Sequence, residues 1–194
     1  MGPDFFTVLK LERRPWIDLD QLKQNYQQRT FATHPDRSET GEAAPEDFTI
    51  ITEAYRVLSS PRLRLQHLLG LEGDAQSTSE PAPVPQALSD LFMKAAQLVN
   101  EIDSVLQKRE HTTSGLGKSL LQRELTDIRI RTSALVNNLE THYADAVNGL
   151  RTVDAEWTRN RAQAVREIKP LVQRFAFLER WLNQLREKEF QLSS

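Results

Sequence analysis

The sequence predicts an all-α protein, with a small N-terminal helical domain followed by a C-terminal three-helix bundle. Apolar residues recur at steps of three and four along most of the chain, which is the spacing of one helix face. No segment alternates apolar and polar residues for long, so strands are not predicted. Three prolines and many small polar residues interrupt the pattern between Gly73 and Pro85. We therefore predict domains at 1–73 and 86–194, joined by a linker at 74–85.

Four short helices are predicted in the N-terminal domain. The second opens at Asp18, whose carboxylate can cap the free amide groups, with Gln21 as its capping-box partner. Pro61 suits the start of the fourth, because proline is tolerated in a first helical turn. The predicted bounds are, in order, Asp4–Leu11, Asp18–Thr33, Glu46–Ser59 and Pro61–Leu69. The apolar stripe of the third helix comprises Phe48, Ile51, Tyr55 and Leu58.

Three longer amphipathic segments follow the linker. Their steps of three and four are typical of helices packed nearly parallel in a bundle. Short connections are predicted at 111–117 and 149–154, which suit antiparallel neighbours, and Pro170 is expected to kink or split the third segment. The three predicted stripes run from Leu88 to Val105, from Leu121 to Ala146 and from Ala164 to Leu185.

Composition argues against several classes of function. The 25 basic and 27 acidic side chains leave a net charge of −2, whereas a nucleic-acid partner needs a basic face. The absence of cysteine rules out disulfides, thiolate metal sites and cysteine nucleophiles. No apolar run approaches the roughly 20 residues that cross a bilayer, and the N-terminus lacks the apolar region of a signal peptide. We expect a cytoplasmic protein that binds neither nucleic acid nor membranes.

Signatures of catalysis are also missing from the sequence. It contains no Gly-rich phosphate loop, no nucleophile elbow and no H-E-x-x-H motif. The histidines are not spaced as a metal-binding pair; they are His34, His67, His111 and His142. We expect a protein that is not an enzyme and that carries no cofactor or metal.

One tripeptide, His34-Pro35-Asp36, lies between the second and third predicted helices. Proline ends the preceding helix and leaves the flanking histidine and aspartate exposed at a corner. Together with Ala54-Tyr55-Arg56-Val57-Leu58, this arrangement resembles a J-domain, the module that DnaJ-type co-chaperones use on DnaK-type chaperones. Segments 4–9 and 61–69, and the helical bundle after the linker, are most similar to the HscB family of iron–sulfur-assembly co-chaperones.

This resemblance implies that the chain stimulates ATP hydrolysis by a DnaK/HscA-type chaperone and so locks it onto a delivered client. Asp36 would pair with an arginine of the chaperone, and basic residues would speed the encounter. The implied chaperone-binding residues are His34, Pro35, Asp36, Lys23, Arg29 and Arg37. Gln27, Gln28 and Thr33 depart from the usual J-domain pattern, which leaves open a helical scaffold with an inactive J-like domain.

The resemblance also implies that the bundle binds the scaffold protein on which iron–sulfur clusters are built. Large apolar residues left over after the core is counted are candidates for such a surface. Phe92, Ala96 and Val99 are left over beside the first stripe, and Phe177 and Trp181 beside the third. The implied scaffold-binding residues are Leu91, Phe92, Met93, Ala96, Gln97 and Phe177.

Two alternatives to this scaffold surface stay open. Aromatic residues on helices are more often core than interface, so Phe92, Phe177 and Trp181 alternatively thicken the bundle core. The first bundle helix is strongly acidic in the family, whereas here Lys94, Gln97 and Asn100 stand at or near such positions. The same J-domain adaptor would then deliver a different client.

Overall fold

The computed structural model describes residues 2–32, 45–73 and 86–193. Within these ranges the chain forms helices and no strand, which confirms the predicted all-α class. The helices are α1 (Phe5–Val8), α2 (Leu19–Ala32), α3 (Pro45–Ser59), α4 (Pro61–Leu71), α5 (Gln86–His111), α6 (Gly115–Arg159) and α7 (Arg161–Ser193).

Aspartates cap the first two helices, and the cap of α2 is the predicted Asp18. The Asp4 carboxylate accepts a hydrogen bond from the Phe6 amide at 3.0 Å, and Asp18 accepts from the amides of Asp20 and Gln21 at 2.8 and 3.2 Å. Each cap satisfies donors that a helix leaves unpaired at its start. Helix α1 is shorter than the predicted Asp4–Leu11, because Lys10 adopts a left-handed φ of 53° that cannot continue it.

Helix α3 packs against α1, α2 and α4 and forms the centre of the N-terminal helices. Ser60 caps α4 by accepting from the Leu63 amide at 3.4 Å, and Pro61 occupies the first turn as predicted. Phe48 was predicted to point inward but is 49% exposed, since it lies a turn ahead of Ile51, the first core residue of α3. The core around α3 consists of Phe6, Leu9, Leu22, Ile51, Ala54, Leu58, Leu65, Leu68 and Leu69.

The long helices are more continuous than predicted. The connection expected at 149–154 is helical, and the chain turns instead at Asn160. Glycine costs about 1 kcal/mol in a helix interior, but burial of Leu150 and Val153 outweighs the cost at Gly149. Pro170 lies inside α7 and does not split it. The connection predicted at 111–117 is confirmed, because residues 112–114 separate α5 from α6.

The helices pack into two compact units. The N-terminal unit contains α1–α4 and residues 147–172 of α6 and α7, and the C-terminal unit contains α5 with the remainder of α6 and α7. This division differs from the domains read from the sequence, which placed all of 86–194 in one bundle. The physical reason is that residues 147–172 bury apolar side chains and make polar contacts with α1–α4. The linker predicted at 74–85 lies outside the described residues.

The apolar stripes of α5, α6 and α7 meet in the C-terminal unit. The stripe predicted for α5 is buried along its whole length, from Leu88 to Val105. Residues of α6 and α7 pack against it at the expected helical spacing. The buried partners of α5 are Leu121, Leu125, Ile128, Val136, Leu139, Leu178, Leu182, Leu185 and Leu192.

Candidate functional site

Helix α2 is the first candidate surface, because the resemblance assigns it to chaperone binding. Leu22 anchors it in the core, and the Tyr26 ring stacks on Tyr55 of α3 with 4.4 Å between ring centres. This packing leaves Lys23 exposed, whereas Arg29 is half-buried. Of the two basic residues predicted on this helix, Lys23 therefore presents its charge more freely.

The tripeptide itself falls in the connection between α2 and α3. Helix α2 ends at Ala32 and α3 begins at Pro45. His34, Pro35, Asp36 and Arg37 lie outside the described residues. Their predicted roles in chaperone binding stay predictions.

A buried arginine ties the C-terminal end of α3 to the segment before α2. Arg64 of α4 is 2% exposed, and its guanidinium donates hydrogen bonds to the carbonyl oxygens of Pro15 at 2.9 Å and Leu58 at 2.6 Å. Buried cations are tolerated only when their donors are satisfied. No structural role was predicted for Arg64, but its spacing of four residues from Leu68 places it on the buried face of α4. Arg64 therefore holds the end of α3 in place.

His67 joins the start of α1 to α4. Its Nε2 atom accepts a hydrogen bond from the Phe5 amide at 3.1 Å, and its ring stacks on Phe5 and Phe6. Burial lowers the pKa of His67, and Arg13 lowers it further against the opposing effect of Asp4. The neutral ring is the form that can accept this hydrogen bond. Sequence reasoning discounted His67 as a metal ligand and did not identify this structural role.

Residues 147–172 complete the N-terminal unit through aromatic and charged contacts. The Trp157 indole donates to the carbonyl oxygen of Arg13 at 2.7 Å, and the Arg161 guanidinium lies 3.8 Å from the centre of the Trp157 ring. Arg161 also pairs with Glu72 at 2.8 Å, and this hydrogen bond lowers the pKa of the Glu72 carboxyl. Burial raises the pKa of Asp154, which lies 3.6 Å from Arg14.

The second candidate surface is an aromatic cluster in the C-terminal unit. Phe92 of α5 lies 5.4 Å from Phe177 and 6.4 Å from Trp181, measured between ring centres, and both partners are on α7. All three side chains are half-buried, and Phe92 and Trp181 pack against the core. The cluster thus extends the core and also offers an aromatic face to solvent.

The other residues predicted for scaffold binding differ in exposure. Met93 is 56% exposed and Gln97 is exposed, while Ala96 is half-buried. Leu91 is 8% exposed and belongs to the core, so it supports this surface from beneath. Val99 was expected beside Phe92 on the surface but is buried, because it faces into the packed helices.

Neither a metal centre nor a membrane span is found in the described part of the chain. Within residues 2–32, 45–73 and 86–193, no three His, Asp or Glu residues are grouped closely enough to hold a metal ion. None of the helices in these ranges combines the length and apolar character needed to cross a membrane.

Comparison with known sequences identifies the N-terminal helices. A family model described as the DnaJ domain matches residues 4–67. Over 63 residues the chain is 35% identical to the chaperone protein DnaJ of Anaplasma marginale, from both the Florida and the St. Maries strains. The match covers 32% of this chain and 16% of those relatives, so the chain corresponds to about a sixth of their length. Residues 4–67 are therefore a DnaJ domain.

Solved structures extend the likeness to the whole chain. Chaperone HscB from Vibrio cholerae superposes with a TM-score of 0.54 at 18% identity, covering 98% of this chain and 99% of that one. The human co-chaperone protein HscB gives a TM-score of 0.49 at 19% identity, covering 94% and 81%. The chain therefore shares its fold with chaperone HscB of Vibrio cholerae, as the resemblance predicted.

Proposed function

We propose that this chain is a co-chaperone that stimulates ATP hydrolysis by a DnaK/HscA-type chaperone and delivers an iron–sulfur scaffold protein to it. The observation that carries the proposal is the DnaJ-domain match over 4–67, which includes His34-Pro35-Asp36. The whole-chain HscB fold supports the second half of the proposal. The chain itself performs no covalent chemistry and needs no cofactor in this role.

On the chaperone side, α2 and the tripeptide dock on the ATP-bound chaperone. The exposed charge of Lys23 attracts an acidic surface and raises the rate of encounter more than the affinity. Arg29 and Arg37 add positive charge to that of Lys23, and Asp36 pairs with an arginine of the chaperone.

On the client side, the aromatic cluster and Met93 form the docking face for the scaffold protein. Exposed apolar side chains beside half-buried aromatic rings are typical of the few residues that dominate binding energy. Phe92 and Phe177 provide the rings, and Met93 provides a flexible apolar contact. Ala96 and Gln97 extend this face by one helical turn.

A second candidate keeps the J-domain activity and changes the client. Lys94, Gln97 and Asn100 replace acidic positions of the family helix, so the charge offered to a client differs. Charge complementarity governs partner choice more than raw affinity. This adaptor would stimulate the chaperone and leave the iron–sulfur scaffold unbound.

The test of the chaperone half is steady-state ATP hydrolysis by the DnaK-type chaperones of the same organism. We expect the chain to stimulate hydrolysis and H34Q to abolish the stimulation. H111Q is the matched control, because His111 is an exposed histidine of the C-terminal unit. Equal stimulation by H34Q and by the unmodified chain would contradict the proposed mechanism.

The test of the client half is direct binding of the scaffold protein, measured by titration calorimetry. We expect M93A to weaken binding by about thirtyfold, which corresponds to the loss of about 2 kcal/mol that defines a hot spot. L116A is the matched control, because Leu116 is a 74% exposed apolar residue on α6. Absence of any binding by the unmodified chain would favour the adaptor for a different client.

A further inference from the structure

The two ends of the C-terminal unit are held together differently. From Glu101 onward, α5 is tied to its neighbours by ion pairs across the helix boundaries. Arg131 pairs with Glu101 at 2.7 Å, Lys108 with Glu124 at 2.8 Å, and Lys188 with Asp103 at 2.5 Å. Before Glu101, no ion pair is found between α5 and α6 in the described ranges.

An open groove lies at the end of the unit where α5 and α6 share no ion pair, and a second opening of similar volume follows the ion-paired stretch. The groove lies between α5 and α6, beyond the Arg131–Glu101 pair, and has a volume of about 400 Å³. This is within the usual range for sites that take a few side chains of a ligand. Its apolar lining consists of Leu91, Leu98, Ala134 and Leu135.

The polar rim of the groove has hydrogen-bonding capacity that the chain does not use. Lys94, Gln97 and Asn138 line it and are exposed, and none of them bonds to another described residue. Their side chains offer an ammonium group and two amide donors. The carboxylate lining the groove, that of Glu101, is already paired with Arg131. The groove therefore presents unpaired donors around an apolar floor.

We propose that this groove binds an acidic segment of a partner protein. An apolar side chain of the segment rests on the leucine floor, and a neighbouring carboxylate accepts hydrogen bonds from Lys94 and the rim amides. A basic segment is disfavoured, because it would bring a cation against Lys94 without an available carboxylate. The positive charge of Lys94 therefore favours a negatively charged partner segment.

The groove is distinct from the aromatic cluster. Phe92 packs with α7, whereas Lys94 and Leu98 line the boundary with α6. Leu91 and Gln97, which the sequence assigned to the scaffold surface, line this groove. The groove shares Gln97 with the docking face proposed for the scaffold protein, so the test uses a peptide in place of that protein and a variant of Lys94, which lies outside that face.

The experiment is a titration of the isotope-labelled full chain with a synthetic amphipathic peptide of leucine, alanine and glutamate. We expect amide chemical shifts to change at Lys94, Gln97, Ala134 and Asn138. K94E should weaken binding by about tenfold or more, the loss of one charge-assisted hydrogen bond. K118E is the matched control, since Lys118 is an exposed lysine of α6 outside the groove.

Five outcomes would overturn the proposal. One is equal binding of the same peptide with lysine in place of glutamate. Another is a set of shift changes confined to Phe92, Phe177 and Trp181. Unchanged affinity in K94E, or equal losses in K94E and K118E, would remove the role of Lys94. No binding of the acidic peptide at millimolar concentration would show that the groove is not a docking site for acidic segments.

Discussion

The two units of this chain are stabilised by different means. The N-terminal unit is built around short helices, α1 having only 4 residues, and its helix ends are held by buried polar groups such as Arg64 and His67. The C-terminal unit uses long helices, α5 having 26 residues, joined by apolar stripes with ion pairs at the surface. Short helices bury little apolar area each, so specific polar contacts must fix their positions. In the N-terminal unit, the buried polar groups Arg64 and His67 join segments that are distant in the sequence.

The largest loss of stability is expected from a substitution that leaves a cavity in the C-terminal core. Ile102 is fully buried, and I102A should reduce the free energy of unfolding by about 2–5 kcal/mol. Amide hydrogen exchange should speed up in the C-terminal unit. The control is Q107A on the exposed side of α5. If I102A lowered the free energy of unfolding by less than Q107A does, the apolar stripe would not be the main source of stability in this unit.

Loss of the buried arginine should come next. R64M keeps most of the apolar stem but removes the donors to the carbonyl oxygens of Pro15 and Leu58, which should cost about 2–3 kcal/mol. Amide exchange should increase in the N-terminal unit. R123M, at an exposed position of α6, is the control and should change stability by about 0.5 kcal/mol or less. Equal losses of stability in R64M and R123M would contradict the claim that buried polar contacts stabilise the N-terminal unit.

Acid should weaken the N-terminal unit through His67. The pKa of His67 is lowered in the folded chain, so below pH 6.5 the unfolded chain binds a proton that the folded chain resists. The stability that His67 contributes is therefore present above pH 6.5 and is lost as the pH falls below that value. Urea unfolding of the unmodified chain and of H67Q at pH 7.5 and 5.5 measures this contribution to the free energy of unfolding. A pH dependence unchanged in H67Q would contradict the assignment to His67.

The smallest effect should come from a surface ion pair of the C-terminal unit. E101Q breaks the exposed pair with Arg131 and should cost about 1 kcal/mol or less, because solvent screens both charges. The cost should shrink further in about 1 M salt, where the screening length falls to about 3 Å. A cost as large as that of R64M would mean that polar contacts matter equally in both units.

These contrasts also explain which features the sequence could predict. The α5 stripe was predicted in full, because helical period alone selects its residues. Arg64 bonds to Pro15, 49 residues away, and Trp157 bonds to Arg13, 144 residues away, so no local pattern signals either contact. The helix through Gly149 was also not predicted. The sequence shows the local cost of glycine in a helix, but not the burial of neighbouring apolar residues that outweighs this cost.

The candidate sites divide in the same way. The sequence singled out Phe92, Phe177 and Trp181 as large apolar residues beyond the core stripe, and the structure brings them together as one cluster. It could not identify the groove beside Lys94, because a groove depends on how α5 and α6 meet. His34-Pro35-Asp36 was identified from the sequence alone, and its role stays a prediction.

The most direct test of the central claim measures ATP hydrolysis by the DnaK-type chaperone with this chain and the iron–sulfur scaffold added together. We predict that the scaffold increases the stimulation given by the chain, that M93A loses only this increment, and that H34Q loses all stimulation. Stimulation by H34Q equal to that of the unmodified chain, or a scaffold that adds nothing, would contradict the account.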